Sequence, residues 1–102
     1  MSSIEFLEQL ESVIRGRLAD APAQSYTAGL AAGGMPAIAR KVGEEGLELA
    51  LAAALENDAR VKDEAADLVY HLLVLLAARN LRLADVVAVL ERRHDPALPR
   101  PR

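Results

Sequence analysis

Over residues 65–78 the chain reads AADLVYHLLVLLAA, and no other stretch constrains the fold as strongly. Leucine, valine and alanine occupy almost the whole circumference of a helix drawn through it, so the segment belongs at the buried centre of a domain. It has no period-two alternation and no hairpin turn beside it, and no other segment supplies a strand signature. Hydrophobic residues make up 52% of the chain but aromatics only 3%. The core must therefore come from Ala, Leu and Val, which suits close helix packing better than a β-sandwich. The sequence reads as all-α, a bundle of about four to five helices. At 102 residues it fits one domain with a single modest core. We place that domain at 1–95, followed by a proline-rich tail at 96–102.

Start and stop signals divide the rest. Ser2 with Glu5 three residues on reads as a capping box. Leu7, Leu10, Ile14 and Leu18 then predict a first helix over about 3–19, ended near Pro22, which lacks an amide hydrogen. Thr27 is expected to cap a short helical turn as far as Gly33-Gly34. Pro36 suits the first turn of a second helix over about 36–56, with Asn57-Asp58 as the turn. A third helix is expected over about 60–79, with Asn80 as its left-handed C′ residue. A last helix spans about 83–93.

Charge and composition remove several functions. The formal net charge of −3 argues against a general nucleic-acid binder. There is no cysteine, which removes disulfides, thiolate catalysis and Cys-type zinc sites. No basic segment followed by an apolar run marks a secretory signal. The longest apolar run, 72–78, falls far short of the roughly 18–20 residues that span a bilayer. A cytoplasmic protein without nucleic-acid or membrane partners is expected.

On the second helix, Ile38, Val42 and Leu49 form one apolar sector, and Leu47, Leu51 and Leu55 a second. Lys41, Glu44, Glu45 and Glu48 fall between the two, flanked on both sides by positions that want burial. Glu45 and Glu48 are neighbours on the helix surface, as are Glu44 and Glu48, and like charges so placed repel. Partial burial worsens that repulsion unless a cation or a proton joins them. A solvated acidic face, with Lys41 compensating Glu45, is the ordinary explanation. Gly43 and Gly46 weigh against it, because each costs a helix interior about 1 kcal/mol relative to alanine. Two within a turn predict that another backbone comes close on that side.

The third helix is harder to explain as surface. Glu64, Asp67 and His71 lie along one line of a helix that ought not to carry unpartnered ionised groups. Asp67 would otherwise pair with an arginine from another helix, and His71, like Tyr70, fits an ordinary core role. The short turn at 57–59 makes the second and third helices antiparallel neighbours, so Glu45-x-x-Glu48 and Glu64-x-x-Asp67 can sit at comparable heights or be offset by about a turn. Four carboxylates form a hard, all-oxygen set that favours Mg²⁺ or Mn²⁺ over zinc and suits phosphate chemistry. A di-iron bundle is set aside, since it needs two Glu-x-x-His pairs and the residue three after Glu64 is Asp67.

The segments Ser25-Tyr26-Thr27-Ala28, Lys41-Val42-Gly43-Glu44-Glu45, Glu64-Ala-Ala-Asp67-Leu-Val-Tyr70-His71-Leu-Leu and Leu90-Glu91-Arg92-Arg93 resemble the phosphoribosyl-ATP pyrophosphatase family. That family belongs to the all-α nucleotide pyrophosphatases, which include MazG-type and dimeric dUTPase-type enzymes. The resemblance covers about residues 4–94. It implies a MazG-like architecture and hydrolysis of 1-(5-phosphoribosyl)-ATP to the AMP derivative and pyrophosphate with Mg²⁺, the second step of histidine biosynthesis. It also implies a homodimer or larger homo-oligomer. Glu45, Glu48, Glu64 and Asp67 would be the metal ligands, and Glu44 would orient or deprotonate the attacking water or serve as another ligand. Lys41 would meet phosphate, and Tyr26, Thr27 and His71 would touch substrate. The family often carries lysines where this chain has Gly29 and Ala32, so Arg40, Lys62 or a partner's arginine would have to substitute. The next enzyme, phosphoribosyl-AMP cyclohydrolase, is expected as a separate protein. Two other readings stay open: a relative acting on another nucleoside triphosphate, and a non-enzymatic helical oligomerisation module.

Overall fold

A computed structural model describes residues 3–20 and 25–97. Within them lie five helices and no strand: α1 (Phe6–Asp20), α2 (Tyr26–Ala32), α3 (Gly34–Leu55), α4 (Asp58–Ala78) and α5 (Leu83–Arg93). The all-α reading stands. Among the described residues no helix is long and apolar enough to cross a membrane.

Local chemistry accounts for the boundaries. The Asn57 side chain accepts the Arg60 amide and caps α4, satisfying a donor that the helix cannot. At the other end Asn80 adopts φ 59°, and the amides of Leu81 and Asn80 return to the carbonyls of Leu76 and Ala77. These are the two bonds of a Schellman closure. Gly34, at φ 80°, turns the chain from α2 into α3 where a side chain would be strained. Helix α5 is tied at its start by two carboxylates. Asp85 accepts the Arg82 amide, and Glu11 of α1 accepts that of Leu83 at 2.6 Å.

One cap differs from expectation. Helix α2 is capped by Ser25, whose hydroxyl accepts the Ala28 amide. Thr27 stands inside that helix with no exposure. Both residues can cap, and the choice fell to the one whose backbone stays extended. In front of α1, it is the Ser3 hydroxyl that accepts from Glu5. The proposed Ser2 cap, the Pro22 break and tail residues 98–102 lie outside the described residues.

The core is small. Ile14 from α1, Ile38 from α3 and Leu73 and Val74 from α4 are essentially inaccessible, with Leu10, Leu18, Met35 and Leu83 packed around them. Helix α4 makes its largest contact with α3 and its next with α1. In its second half His71, Leu73, Val74 and Leu76 are buried as predicted, although Ala78 is exposed, and Ala66, Asp67 and Val69 in its first half are exposed too. The two apolar sectors of α3 also part company: Ile38 is buried, whereas Leu47, Leu51 and Leu55 are 61%, 48% and 77% exposed. Periodicity identifies a face that wants burial, but the described residues supply no second layer there. For the same reason the expected close backbone at Gly43 and Gly46 is missing. A β-carbon at either would meet nothing within 4 Å among the described residues.

A carboxylate site between two helices

Antiparallel pairing of α3 and α4 brings Glu45, Glu48 and Glu64 together. Each offers one oxygen, and these three oxygens lie within 4.8 Å of one another. Glu45 and Glu64 are 4% and 5% exposed, while Glu48 closes the cluster from the solvent side. Asp67, one turn further along α4, is exposed and does not belong to this group of three. Its placement in a buried stretch is therefore corrected, because that part of α4 packs on one side only.

Two cations hold the buried carboxylates, one on each helix. Lys41 Nζ lies 3.0 Å from Glu45 Oε1, and an Arg60 guanidinium nitrogen lies 2.6 Å from Glu64 Oε1. Both pairs have the i, i+4 spacing of helix neighbours. The Glu45 bond, followed by that residue's charge, raises the Lys41 ammonium above its ordinary value against the opposing effect of burial. Arg60, raised first by Glu64, also reaches Glu56 at 3.4 Å. Sequence reasoning missed Arg60. The spacing Glu56-Arg60-Glu64 holds the signal, the same i, i+4 relation that pairs Lys41 with Glu45.

Each cation takes only one oxygen. The Oε2 atoms of Glu45 and Glu64 are buried with no hydrogen-bond partner. An unsatisfied buried polar atom ordinarily costs about 1–3 kcal/mol, and more when charged, so two facing one cluster are not a neutral feature of packing. Glu48 responds to the same crowding. Its carboxyl is pushed up, first because a protonated Glu48 could donate its hydrogen to the neighbouring Glu64 carboxylate and then by the charges of Glu45 and Glu64. A divalent cation fits this donor set: it would partner both orphaned oxygens and cancel the repulsion that raises Glu48.

The remaining candidates fall into two groups. Glu44 is exposed beside Glu45, and Arg40 and Lys62 are exposed outside the cluster. Tyr26, Thr27 and His71 meet where α2 crosses α4. The Tyr26 hydroxyl lies 2.8 Å from His71 Nε2, and the Thr27 hydroxyl bonds that of Tyr70. A β-carbon at Gly29 would meet nothing within 4 Å among the described residues, and glycine has no side chain to offer a ligand.

Comparison with known proteins bears on the same residues. The family model described as phosphoribosyl-ATP pyrophosphohydrolase matches residues 7–94, a span that includes all of these side chains. A phosphoribosyl-ATP pyrophosphatase of Pyrobaculum calidifontis is 56% identical over 91 residues, 89% of this chain and 97% of that protein. Its counterpart in Pyrobaculum aerophilum is 54% identical over the same shares. The histidine biosynthesis bifunctional protein HisIE of Xylella fastidiosa is 51% identical over 88% of this chain, but only 44% of its own length is involved. The unit seen here thus occurs both alone and as part of a larger protein. Similarity of this extent, over helices that converge on one carboxylate cluster, makes the chain a member of the phosphoribosyl-ATP pyrophosphohydrolase family.

Proposed function

We propose that this protein hydrolyses 1-(5-phosphoribosyl)-ATP to 1-(5-phosphoribosyl)-AMP and pyrophosphate, the second step of histidine biosynthesis. The observation that carries the chemistry is the convergence of Glu45, Glu48 and Glu64 with two buried oxygens unpartnered. Mg²⁺ is the ion we propose, with Mn²⁺ an acceptable substitute, because the ligands are all hard carboxylate oxygens. Glu45, Glu48 and Glu64 would hold it, with Asp67 joining from the exposed rim. When bound, the ion would neutralise phosphate charge and acidify water in its coordination sphere.

The chain's own residues have distinct tasks in this proposal. Lys41 and Arg60 hold the Glu45 and Glu64 carboxylates in place, so the cluster is positioned before substrate arrives. Glu44, exposed beside the cluster, would orient or deprotonate the attacking water. Lys41, about one-third exposed, would offer the unshared side of its ammonium to a phosphate oxygen. The proposed substrate is a highly charged nucleotide, which makes the cytoplasm the compartment we propose.

A homodimer or larger homo-oligomer is part of the same proposal. Burying a leucine side chain is worth about 1.5–3 kcal/mol, and Leu47, Leu51 and Leu55 on α3 forgo much of this in one chain. Gly43 and Gly46 leave the same helix open to close approach.

Pyrophosphate release from phosphoribosyl-ATP, measured with and without Mg²⁺ and beside a panel of other nucleoside triphosphates, tests the reading. Phosphoribosyl-ATP should be strongly preferred, and Glu48→Gln or Asp67→Asn should lose nearly all activity. Metal-independent turnover, or full activity in either variant, would remove the site assignment. Preference for another nucleotide would reassign the substrate alone.

A further inference from the structure

Arg60 has donors that the carboxylate cluster does not use. Its Nη2 donates to Glu64 Oε1 at 2.6 Å, and its Nε reaches Glu56 at the long distance of 3.4 Å. Its Nη1 makes no hydrogen bond among the described residues, and the side chain is 48% exposed. A guanidinium stays charged throughout the pH range of folded proteins, and its planar fork suits carboxylate and phosphate oxygens alike. Arg60 therefore grips Glu64 and still has donors open for a second anion.

Its place along the hairpin is specific. Arg60, Glu64 and Asp67 fall along one line of α4, as Lys41, Glu45 and Glu48 do on α3, because residues at i, i+4 and i+7 share a helix face. The two helices run antiparallel. Arg60, in the first turn of α4, thus lies at the turn end of the carboxylate group, and Lys41, in the first half of α3, lies at the other end. Among the described residues these are the two cations that touch the cluster, whereas Arg40 and Lys62 are exposed outside it. Each cation bonds one oxygen of a buried carboxylate, and the second oxygen of each has no partner. An ion joining those bare oxygens stands one carboxylate's width from Arg60, so a phosphate on that ion comes within the guanidinium's reach.

Resting on the reaction proposed above, we propose that Arg60 binds a phosphate oxygen of the substrate at the end of the site opposite Lys41, so that the phosphate chain lies along the hairpin between the two cations. The test is calorimetric titration of the full chain, first with Mn²⁺ alone and then with inorganic tripolyphosphate at saturating Mg²⁺. Tripolyphosphate carries the phosphate chain without the nucleoside. Loss of a charged hydrogen bond should weaken tripolyphosphate binding about tenfold in Arg60→Met and raise KM for phosphoribosyl-ATP by a similar factor. Arg60→Lys should recover part of the loss, because an ammonium meets phosphate as a point charge without the fork. Lys41→Met should lose a comparable factor, and the two losses should multiply in the Arg60→Met/Lys41→Met double variant. Glu56→Gln, which frees Nε and leaves the Glu64 bond, should bind tripolyphosphate as wild type does. Wild-type tripolyphosphate affinity in Arg60→Met overturns the proposal. A loss confined to Mn²⁺ affinity also overturns it, since Arg60 would then act through Glu64 alone. So does a loss in Glu56→Gln as large as that in Arg60→Met, which would trace the effect to the turn. Should Arg60→Met fail to fold, Arg60→Gln, which keeps a donor but no charge, takes its place. A wild-type protein that binds tripolyphosphate but releases no pyrophosphate from phosphoribosyl-ATP removes the reaction, while the Arg60 contact still stands or falls on the titrations.

Discussion

The two ends of the α3–α4 hairpin are built from similar residues and have opposite surroundings. Toward the start of α3 and the end of α4, Ile38, Leu73 and Val74 are sealed by α1 and α2. Toward the turn, Leu47, Leu51, Leu55 and Val69 are substantially exposed. Both halves have the apolar spacing of a buried face. What differs is the cover: the sealed end lies under α1 and α2, whereas toward the turn only the start of α1 flanks α4, and the α3 leucines stay exposed among the described residues. The carboxylates sit where one regime passes into the other, with Glu45 and Glu64 inside and Glu48 at the edge. A cluster at such a boundary keeps two carboxylates out of water while leaving one side open to solvent.

The largest expected effect comes from exchanging equivalent leucines across this divide. Leu73→Ala should destabilise by about 2–5 kcal/mol, since it removes a fully enclosed side chain and leaves a cavity. Leu55→Ala should cost well under 1 kcal/mol if nothing covers Leu55 in solution. Chemical denaturation of the two variants measures the contrast. A cost near that of Leu73→Ala would show that the exposed end is buried in the working protein.

Next in size is a charge placed on that end. Leu51→Glu should weaken self-association roughly 100-fold, because an unpaired carboxylate in an apolar interface is costly. Sedimentation at several concentrations reads this directly, and an unchanged oligomer would move the interface elsewhere.

The smallest effect lies at the boundary. Glu48 has a folded-state pKa above its ordinary 4.5, so the folded chain binds that proton more tightly than the unfolded chain does. The stability this contributes is complete below about the ordinary value and is lost as pH rises through the raised one. Metal-free Glu48→Gln, which lacks the repelling charge, should therefore melt slightly above wild type at neutral pH. That advantage should shrink as the pH falls toward 4.5. Adding Mg²⁺ should reverse the order by stabilising wild type alone. Thermal melts over pH, with and without the ion, provide the check, and a variant less stable than metal-free wild type at neutral pH would contradict it.

Much of this was legible beforehand. Pro36, Asn80 and the span of α5 were readable because each depends on a residue's own backbone preference. Glu45, Glu48 and Glu64 were readable as a cluster because a short turn forces two helices to run antiparallel, and spacing then sets their heights. Asp67 was misjudged for a specific reason. An apolar stretch indicates that a helix has buried surface but not which of its turns are covered. Thr27 was mistaken for a cap because Ser25 and Thr27 have similar hydroxyl chemistry, and only backbone geometry separates them.

The linear pattern alone determined the helices, their order and the acidic lines on two of them, since these follow from periodicity and local hydrogen bonding over a few residues. Only the tertiary structure decided that Lys41 and Arg60 would each satisfy one oxygen and leave another bare, that Asp67 would be exposed, and that the Tyr26 hydroxyl would meet His71. These outcomes depend on which atoms of distant residues come within about 3 Å, a distance fixed by packing between helices and by no single segment.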